Sequence, residues 1–211
     1  MPDISVILKV IQDQFVHIDG VQVFILVFGV AEVFLAKANN ILLYPAGIVA
    51  TALSIYSLGS VQLYAECLLN IYYVVMSVYG WWFWISKGNL PPIKITATTR
   101  SEWGITLGIV LGGWAFLSYV LATFTSSTVP FWDAWVSSAA WAGMWLLARR
   151  KVENWILLNI SNAFAIPLLF YKELPLFALL TIFLFVVGWM GYRDWLRILK
   201  KDRDLNSKVS A

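Results

Sequence analysis

KVENWILLNISNAFAIPLLFY, residues 151–171, is the most informative segment of this 211-residue chain. It contains enough apolar residues for a helix of about 20 residues, the length that crosses the hydrocarbon layer of a bilayer. Trp155, Asn159 and Asn162 recur at i, i+4 and i+7, so they share one face of this helix. Because a carboxamide that faces lipid costs free energy, the sequence predicts that this face looks onto protein or onto a water-filled cavity.

The two asparagines of this face have two interpretations. In the first, they join neighbouring helices by hydrogen bonds, as polar residues of membrane helices often do. In the second, they form part of a small-molecule site near mid-membrane, where Trp155 adds a flat apolar wall. The residues of this stretch alone leave both open.

The composition of the chain is that of a membrane protein. Hydrophobic residues make up 60% and charged residues only 13%, with a mean hydropathy of +0.75, whereas about a quarter of the residues of soluble domains are charged. The apolar runs are continuous rather than alternating, which favours an all-α integral membrane fold over a barrel. No cleavable signal peptide is evident, and the basic residues follow the membrane rather than indicating a nucleic-acid partner.

The chain offers few reactive groups. Its single cysteine, Cys67, has no disulfide partner and no metal-ligand pattern around it, and its single histidine, His17, lies in the polar N-terminal segment. We find no nucleophile–base pair, no glycine-rich phosphate loop and no selectivity-filter sequence. The sequence therefore predicts neither an enzyme nor an ion channel, and no metal or cofactor.

Seven transmembrane helices are predicted. A lead-in at 1–20 precedes them, a polar linker at 86–102 follows the third, and a polar tail at 196–211 ends the chain. The fourth span contains glycines that permit close helix contact, at positions 104, 108, 112 and 113. The predicted spans are 21–36, 41–58, 61–85, 103–124, 130–148, 151–171 and 174–195.

The basic residues give this bundle a direction. With seven spans, thirteen of the 15 Lys and Arg residues fall on one side, and only Lys9 and Lys172 fall on the other. By the positive-inside rule, the C-terminus is cytoplasmic and the N-terminus lies outside. An even number of spans would destroy this sorting, so the charges support seven independently.

The order of the spans suggests an internal duplication. The triplets 21–85 and 130–195 each pass a polar turn with asparagine, Asn40 or Asn154, and each ends in a Gly…Trp pattern. The odd bridging helix, 103–124, lets both triplets point the same way. The sequence therefore predicts a three-one-three arrangement of parallel repeats about an axis normal to the membrane.

The third span contains the candidate ligand-binding carboxylate. Glu66 and Asn70 are at i and i+4, and Tyr73 continues the same face. Glu66 is either a protonated acid bonded to a neighbouring helix or a functional group, namely a counter-charge for a cationic ligand or a proton relay. Glu32 on the first span is a second candidate, although it lies near the end of its span, where Lys37 is placed to pair with it.

Aromatic residues complete the candidate site. Tyr44, Tyr73, Trp132 and Trp155 can stack on a planar or cationic ring. Aromatic side chains are also ordinary packing in membrane proteins, so each has this alternative role.

Taken together, these residues resemble the PnuC-type vitamin transporters. The similarity rests on QLYA at 62–65, YGWWFW at 79–84, PFWD at 130–133, RRK at 149–151, and VENW at 152–155 with Asn162. It implies a fold similar to the SWEET sugar transporters, with seven helices and opposite topology, in the inner membrane. It further implies homotrimers and uptake of a vitamin by facilitated diffusion, with trapping by a cytoplasmic kinase.

One departure bears on the vitamin. Nicotinamide riboside carriers of this family typically have a second tryptophan three residues after the one in ENW, where this chain has Leu158. An aromatic clamp built on both tryptophans is therefore incomplete, while Asn162 keeps the family position. With Glu66 as a full negative charge beside the site, we expect thiamine as the substrate, and nicotinamide riboside as the alternative; related members are thought to carry riboflavin.

Overall fold

The computed structural model describes residues 19–60, 64–86, 94–125, 127–172 and 174–209, without the side chains at positions 59–60, 64–69, 176, 203 and 206–209. The predicted lead-in thus lies almost wholly outside the described residues. This part of the chain forms seven helices: α1 Gly20–Lys37, α2 Leu43–Ser60, α3 Tyr64–Ile85, α4 Arg100–Phe124, α5 Pro130–Ala148, α6 Asn154–Tyr171 and α7 Pro175–Val209.

Local sequence signals explain where several helices begin. α4 begins three residues before the predicted start because Thr99 and Glu102 form a capping box around its first turn. α5 has Pro130 at its first position, where the missing N–H has no partner to lose. α6 begins only at Asn154 because the preceding turn contains Arg150 with a φ of 54°. α7 differs most, since its helix continues through the predicted polar tail.

The helices present apolar surfaces to their surroundings. Within the described residues, four segments are long and apolar enough to cross a membrane: Gly20–Lys37, Arg100–Phe124, Asn154–Tyr171 and Phe177–Asp202. The apolar segment of α2 is shorter, Leu43–Leu58. Large side chains such as Phe24, Tyr119 and Phe177 are more than half exposed, which is typical of a surface that faces lipid rather than water.

Six of the helices pack in a closed ring. α1 contacts α2, α2 contacts α3, α3 contacts α5, α5 contacts α6, α6 contacts α7, and α7 returns to α1. α4 packs against α5 from outside this ring. Each ring helix therefore has a face toward its two neighbours, a face toward the surroundings and a face toward the ring interior.

Two helix pairs of the ring repeat the same close contact. Gly80 of α3 leaves room for the ring of Tyr44, and Gly191 of α7 leaves room for the ring of Trp155, which lies 2.6 Å from where a Cβ would be. Each aromatic ring then meets a tryptophan edge-on, with centroids 5.1 Å apart for Tyr44 and Trp84 and 5.8 Å apart in the other pair. Tyr44, Gly80 and Trp84 precede Trp155, Gly191 and Trp195, respectively, by the same number of residues.

Two tryptophans link the two helix triplets. Trp84 Nε1 donates to the carbonyl oxygen of Ala148 at the end of α5, at 3.0 Å. Trp195 Nε1 donates to the carbonyl oxygen of Ala36 at the end of α1, at 3.1 Å. Each triplet therefore caps the C-terminus of the other triplet's first helix.

These contacts lie at one end of the molecule, which we call the basic end and define by Lys37, Arg149, Arg150 and Lys151. Lys37 pairs with Asp194 of α7 at 3.6 Å. The linker reaches the same end, because Thr96 forms a parallel bridge with Lys151. A buried cluster that includes Leu43, Tyr44, Trp84, Val152, Trp155 and Trp195 fills the end behind these charges.

The glycines of α4 behave differently from their predicted role. A Cβ at Gly104, Gly108 or Gly112 would meet nothing within 4 Å. Only Gly113 is close to a neighbour, with Ser138 Cβ at 3.3 Å from the Cβ position. Within the described residues of one chain, the predicted close helix contact is therefore absent at three of the four glycines, because they lie on the side of α4 that faces away from α5.

Candidate functional site

The exposed residues of α6 show which side of this helix faces away from the surroundings. Ile160, Phe164 and Tyr171, at i, i+4 and i+11, are 36%, 45% and 61% exposed. Asn162 lies two residues from both Ile160 and Phe164, which places it on the opposite side of the helix. The sequence-based prediction that Asn162 avoids lipid agrees with this placement.

The two flanks of α6 are occupied by its ring neighbours. Ser161 donates to the carbonyl oxygen of Val136 on α5 at 2.7 Å, and Trp155 lies against Gly191 on α7. Between these flanks Asn162 faces the ring interior, while Leu158, one turn earlier, packs beside Gly143 of α5. Asn162 is half-buried and makes no hydrogen bond within the described part of the chain.

Asn159 has a different environment from Asn162. Its side chain is 3% exposed and fills the space beside Gly188 of α7. In the amide orientation that satisfies both of its groups, Nδ2 donates to Phe185 O and Oδ1 accepts from Trp189 N, each at 3.2 Å. Asn159 thus forms hydrogen bonds to the backbone of α7. This agrees with the first interpretation of the sequence, in which the asparagines join neighbouring helices.

Trp155 also belongs to the helix interface in this conformation. It is 2% exposed, and its ring lies between Gly191 and Trp195. Its Nε1 is buried and has no hydrogen-bond partner within the described residues. A ligand cannot reach this ring while the basic end is closed, so a role of Trp155 in binding stays a prediction.

The interior face of α2 matches that of α6. Val49 and Tyr56 are exposed, and Thr51 lies two residues after Val49, so it points away from them. Thr51 Oγ1 donates to the carbonyl oxygen of Gly47, one turn earlier. The shift in residue number that relates the two triplets takes Thr51 to Asn162, so a hydroxyl and a carboxamide occupy corresponding interior positions.

Glu32 of α1 approaches the same face of α2. Its Oε1 lies 2.5 Å from where a Cβ on Gly47 would be, so the carboxyl group occupies the space that this glycine leaves. The expected alternative, pairing with Lys37, is wrong, because Lys37 pairs with Asp194 of α7 instead. Lys37 is in the last turn of α1, at the basic end, whereas Glu32 lies more than one turn farther from that end along the helix.

The remaining candidates lie on or near α2 and α3. Tyr44 is 2% exposed and packed against Gly80 and Trp84. Tyr73 and Asn70 are half-buried, and Tyr73 meets Tyr72 edge-on, with centroids 6.1 Å apart. The side chain of Glu66 lies outside the described residues, so the structure leaves its predicted role as it was.

Trp132 lies apart from the other candidates. Its Nε1 donates to the carbonyl oxygen of Phe164, which is on the exposed face of α6. Together with Trp114, Phe131 and Trp135 it lines a hollow of about 410 Å³ on the outer surface of α4, α5 and α6. Trp132 and Asn162 are thus on opposite sides of the helix wall, which spacing in sequence does not reveal.

Thr51 and Asn162 thus lie on the interior faces of α2 and α6, and the Glu32 carboxyl group of α1 lies against α2 beside Gly47, one turn before Thr51. Thr51 was missed by the sequence analysis, although comparing the two triplets position by position would have found it beside Asn162. No group of three or more His, Cys, Asp or Glu residues suited to a metal occurs in the described ranges. What this arrangement offers is hydrogen bonding and one carboxyl group in an otherwise apolar bundle.

Comparisons with known proteins give the family. The family described as "Nicotinamide mononucleotide transporter" matches residues 20–197. The nicotinamide riboside transporter PnuC of Escherichia coli (strain K12) is 24% identical over 194 residues, which covers 80% of this chain and 81% of that protein. The protein of the same name from Shigella flexneri is similar to the same extent.

A solved structure shares the fold. The crystal structure of the vitamin B3 transporter PnuC superposes with a TM-score of 0.70 at 21% identity, over 92% of this chain and 88% of that one. With its apolar helices and this family match, the chain is a multi-pass membrane protein of a transporter family. These relatives give no support to the preference for thiamine and favour the alternative, nicotinamide riboside. The chain belongs to the nicotinamide mononucleotide transporter family, whose PnuC-type members are transporters and not enzymes, as the sequence predicted.

Proposed function

We propose that the protein takes up nicotinamide riboside by facilitated diffusion through the interior of the helix ring. The observation that supports this most is Asn162, a half-buried carboxamide that faces the ring interior and has no hydrogen bond within the described part of the chain. Because its amide group is only half-buried and has no partner there, it is available to bond to a polar ligand at this position. The relatives named for nicotinamide riboside supply the substrate class.

The chemistry of the interior suits this ligand. Nicotinamide riboside has a carboxamide and a ribose whose hydroxyls both donate and accept, and Asn162 has one acceptor and two donors to match them. Thr51 adds a hydroxyl at the corresponding position of α2. Leu158, one turn before Asn162, stands where the resemblance places a second tryptophan, and its side chain packs beside Gly143 of α5.

The architecture that we propose is the three-one-three arrangement of parallel repeats, similar to the SWEET transporters. Three features support it: the two equivalent aromatic–glycine contacts, the reciprocal tryptophan bonds and the single bridging helix α4 outside the ring. Seven membrane crossings put the basic end in the cytoplasm and the N-terminus outside, in the inner membrane. Homotrimers and trapping by a cytoplasmic kinase rest on the resemblance and belong to the same proposal.

Transport requires the basic end to open. The cluster around Trp84, Trp155 and Trp195 closes the ring there, so the conformation described is closed toward the cytoplasm in the proposed orientation. Facilitated diffusion needs only that the two ends open in turn around the ligand site.

Purified protein in liposomes tests this function. We expect labelled nicotinamide riboside to equilibrate across the membrane without ATP or an ion gradient, and unlabelled nicotinamide riboside to compete better than thiamine or riboflavin. Empty liposomes are the control for leakage.

Two outcomes would contradict the proposal. Accumulation above the outside concentration that depends on a gradient would exclude facilitated diffusion. If thiamine competes at concentrations tenfold lower than nicotinamide riboside does, the substrate is thiamine, as expected from Leu158 and Glu66.

A further inference from the structure

We propose that Glu32 is the counter-charge that makes the carrier select a permanently cationic vitamin over an uncharged one of the same shape. This inference rests on the proposed function, since it assigns a specificity residue to the same interior site. It concerns a carboxylate of α1, not Glu66 of α3.

The first step is the direction of Glu32. On α1, Val23, Val27 and Phe34 are exposed at 43%, 56% and 46%, and their spacing places them on one side of the helix. Glu32 precedes Phe34 by two residues, which turns its side chain about 160° away from it. The carboxyl group therefore points away from lipid and toward α2, where it covers Gly47.

The second step is the absence of a protein cation beside it. Among the described residues, Glu32 has no ion pair and no hydrogen bond. The neighbouring basic residues have other contacts, because Lys37 pairs with Asp194 and the Arg150 guanidinium lies 3.3 Å from the centre of the Trp84 ring. A carboxylate inside a membrane bundle is costly unless something compensates its charge, and is retained for function.

The third step is a comparison with the other triplet. Glu32 and Gly47 correspond to Gly143 and Leu158, and there the contact is reversed: the Leu158 side chain fills the space beside Gly143, at 2.8 Å from the Cβ position. An apolar side chain thus closes the same helix–helix contact in the second half. Packing does not require an acid at this position, so the acid in the first half serves another purpose.

The fourth step is the ligand. Gly47 lies one turn before Thr51 on the interior face of α2, so the carboxyl group sits at the edge of the same interior as Asn162. The pyridinium ring of nicotinamide riboside has a positive charge at every pH, and its dihydro form is nearly the same shape with no charge. An uncompensated carboxylate attracts the first and gains nothing from the second.

The experiment measures binding of both forms to three proteins: wild type, Glu32→Gln and Asp202→Asn. The last variant is the control, since it also removes one negative charge but lies in the exposed part of α7, 3.9 Å from Lys94. We expect wild type to prefer the cation, and Glu32→Gln to weaken cation binding by roughly tenfold to a hundredfold while leaving the dihydro form unchanged. Asp202→Asn should bind both forms as wild type does.

Other outcomes separate this inference from the proposed function. If Glu32→Gln changes the melting temperature of the empty protein but not the preference for the cation, Glu32 is structural and the inference is wrong. If wild type binds thiamine rather than nicotinamide riboside, the proposed substrate is wrong, and the same tenfold loss measured on the thiazolium cation still supports Glu32. If Glu32→Gln does not fold, Glu32→Asp keeps the charge, and an equal affinity for both forms in that variant would overturn the inference.

Discussion

At the scale of single residues, two asparagines three positions apart on α6 have different surroundings. Asn159 is buried against Gly188 and bonds to the backbone of α7, whereas Asn162 faces the ring interior. A difference of three residues rotates a side chain by about 60° on an ideal helix. That rotation moves it from a helix interface to the interior.

Replacing each asparagine by alanine should separate their roles. Asn159→Ala removes two buried hydrogen bonds and should lower stability by about 1–3 kcal/mol, with little effect on the affinity of the folded protein. Asn162→Ala should weaken ligand binding by about 1 kcal/mol, or roughly fivefold, and leave the melting temperature unchanged. Thermal unfolding without ligand and a binding titration measure both, and an exchange of the two effects would contradict the assignment.

At the scale of helices, the ring is closed by two tryptophans that reach across to the other triplet. Trp84 Nε1 and Trp195 Nε1 each donate to a carbonyl oxygen at the end of a first helix, where α5 and α1 leave carbonyls without intrahelical partners. Both bonds are buried, and losing the Trp84 bond removes the donor of Ala148 O at a cost of about 1–3 kcal/mol. Losing the Trp195 bond should cost less, because Ala36 O also accepts from Asn39 N at 2.9 Å. These bonds favour the closed state of the basic end.

Trp84→Phe and Trp195→Phe keep the aromatic packing and remove only the donor. We expect faster hydrogen–deuterium exchange in the turn after α5 for the first variant and in the turn after α1 for the second, because each turn loses a tie to the opposite triplet. Trp114→Phe is the matched control. Trp114 Nε1 also donates to a carbonyl oxygen, that of Phe131 at 3.0 Å, but this bond is far from the basic end. Equal exchange in wild type and both variants would show that the bonds do not hold this end closed.

At the scale of the whole molecule, the two ends have opposite character. At the basic end, ion pairs connect the linker, the turns after α1 and α5, and the C-terminal half of α7. These pairs are Lys37–Asp194, Lys94–Asp202 and Lys151–Glu102. The other end has one close ion pair among the described residues, Lys172 with Asp133 at 2.6 Å. In the topology proposed above, this charge distribution corresponds to a basic end in the cytoplasm.

The orientation can be measured with single cysteines in a variant whose Cys67 is replaced by serine. A membrane-impermeant maleimide should label Thr128→Cys on intact cells and should label Lys201→Cys only after lysis, because the two positions are exposed and lie at opposite ends. Expression and membrane insertion are checked by labelling in detergent. The reverse pattern would invert the proposed topology and with it the direction of closure.

Local sequence features were enough to predict the seven helices of the described part of the chain, their order and the clustering of basic residues at one end. Hydrophobic runs, caps and basic residues are local features, so α5 spans its predicted residues and α1, α2 and α6 begin within three residues of theirs. Which polar groups contact one another depends on how the helices pack, and local features do not predict that. The helical period places Trp155, Asn159 and Asn162 on one broad face, but the packing of α7 divides that face between an interface and the interior. The position of the Glu32 carboxyl group likewise depends on helix packing, because the space beside Gly47 forms only where α1 and α2 are in contact.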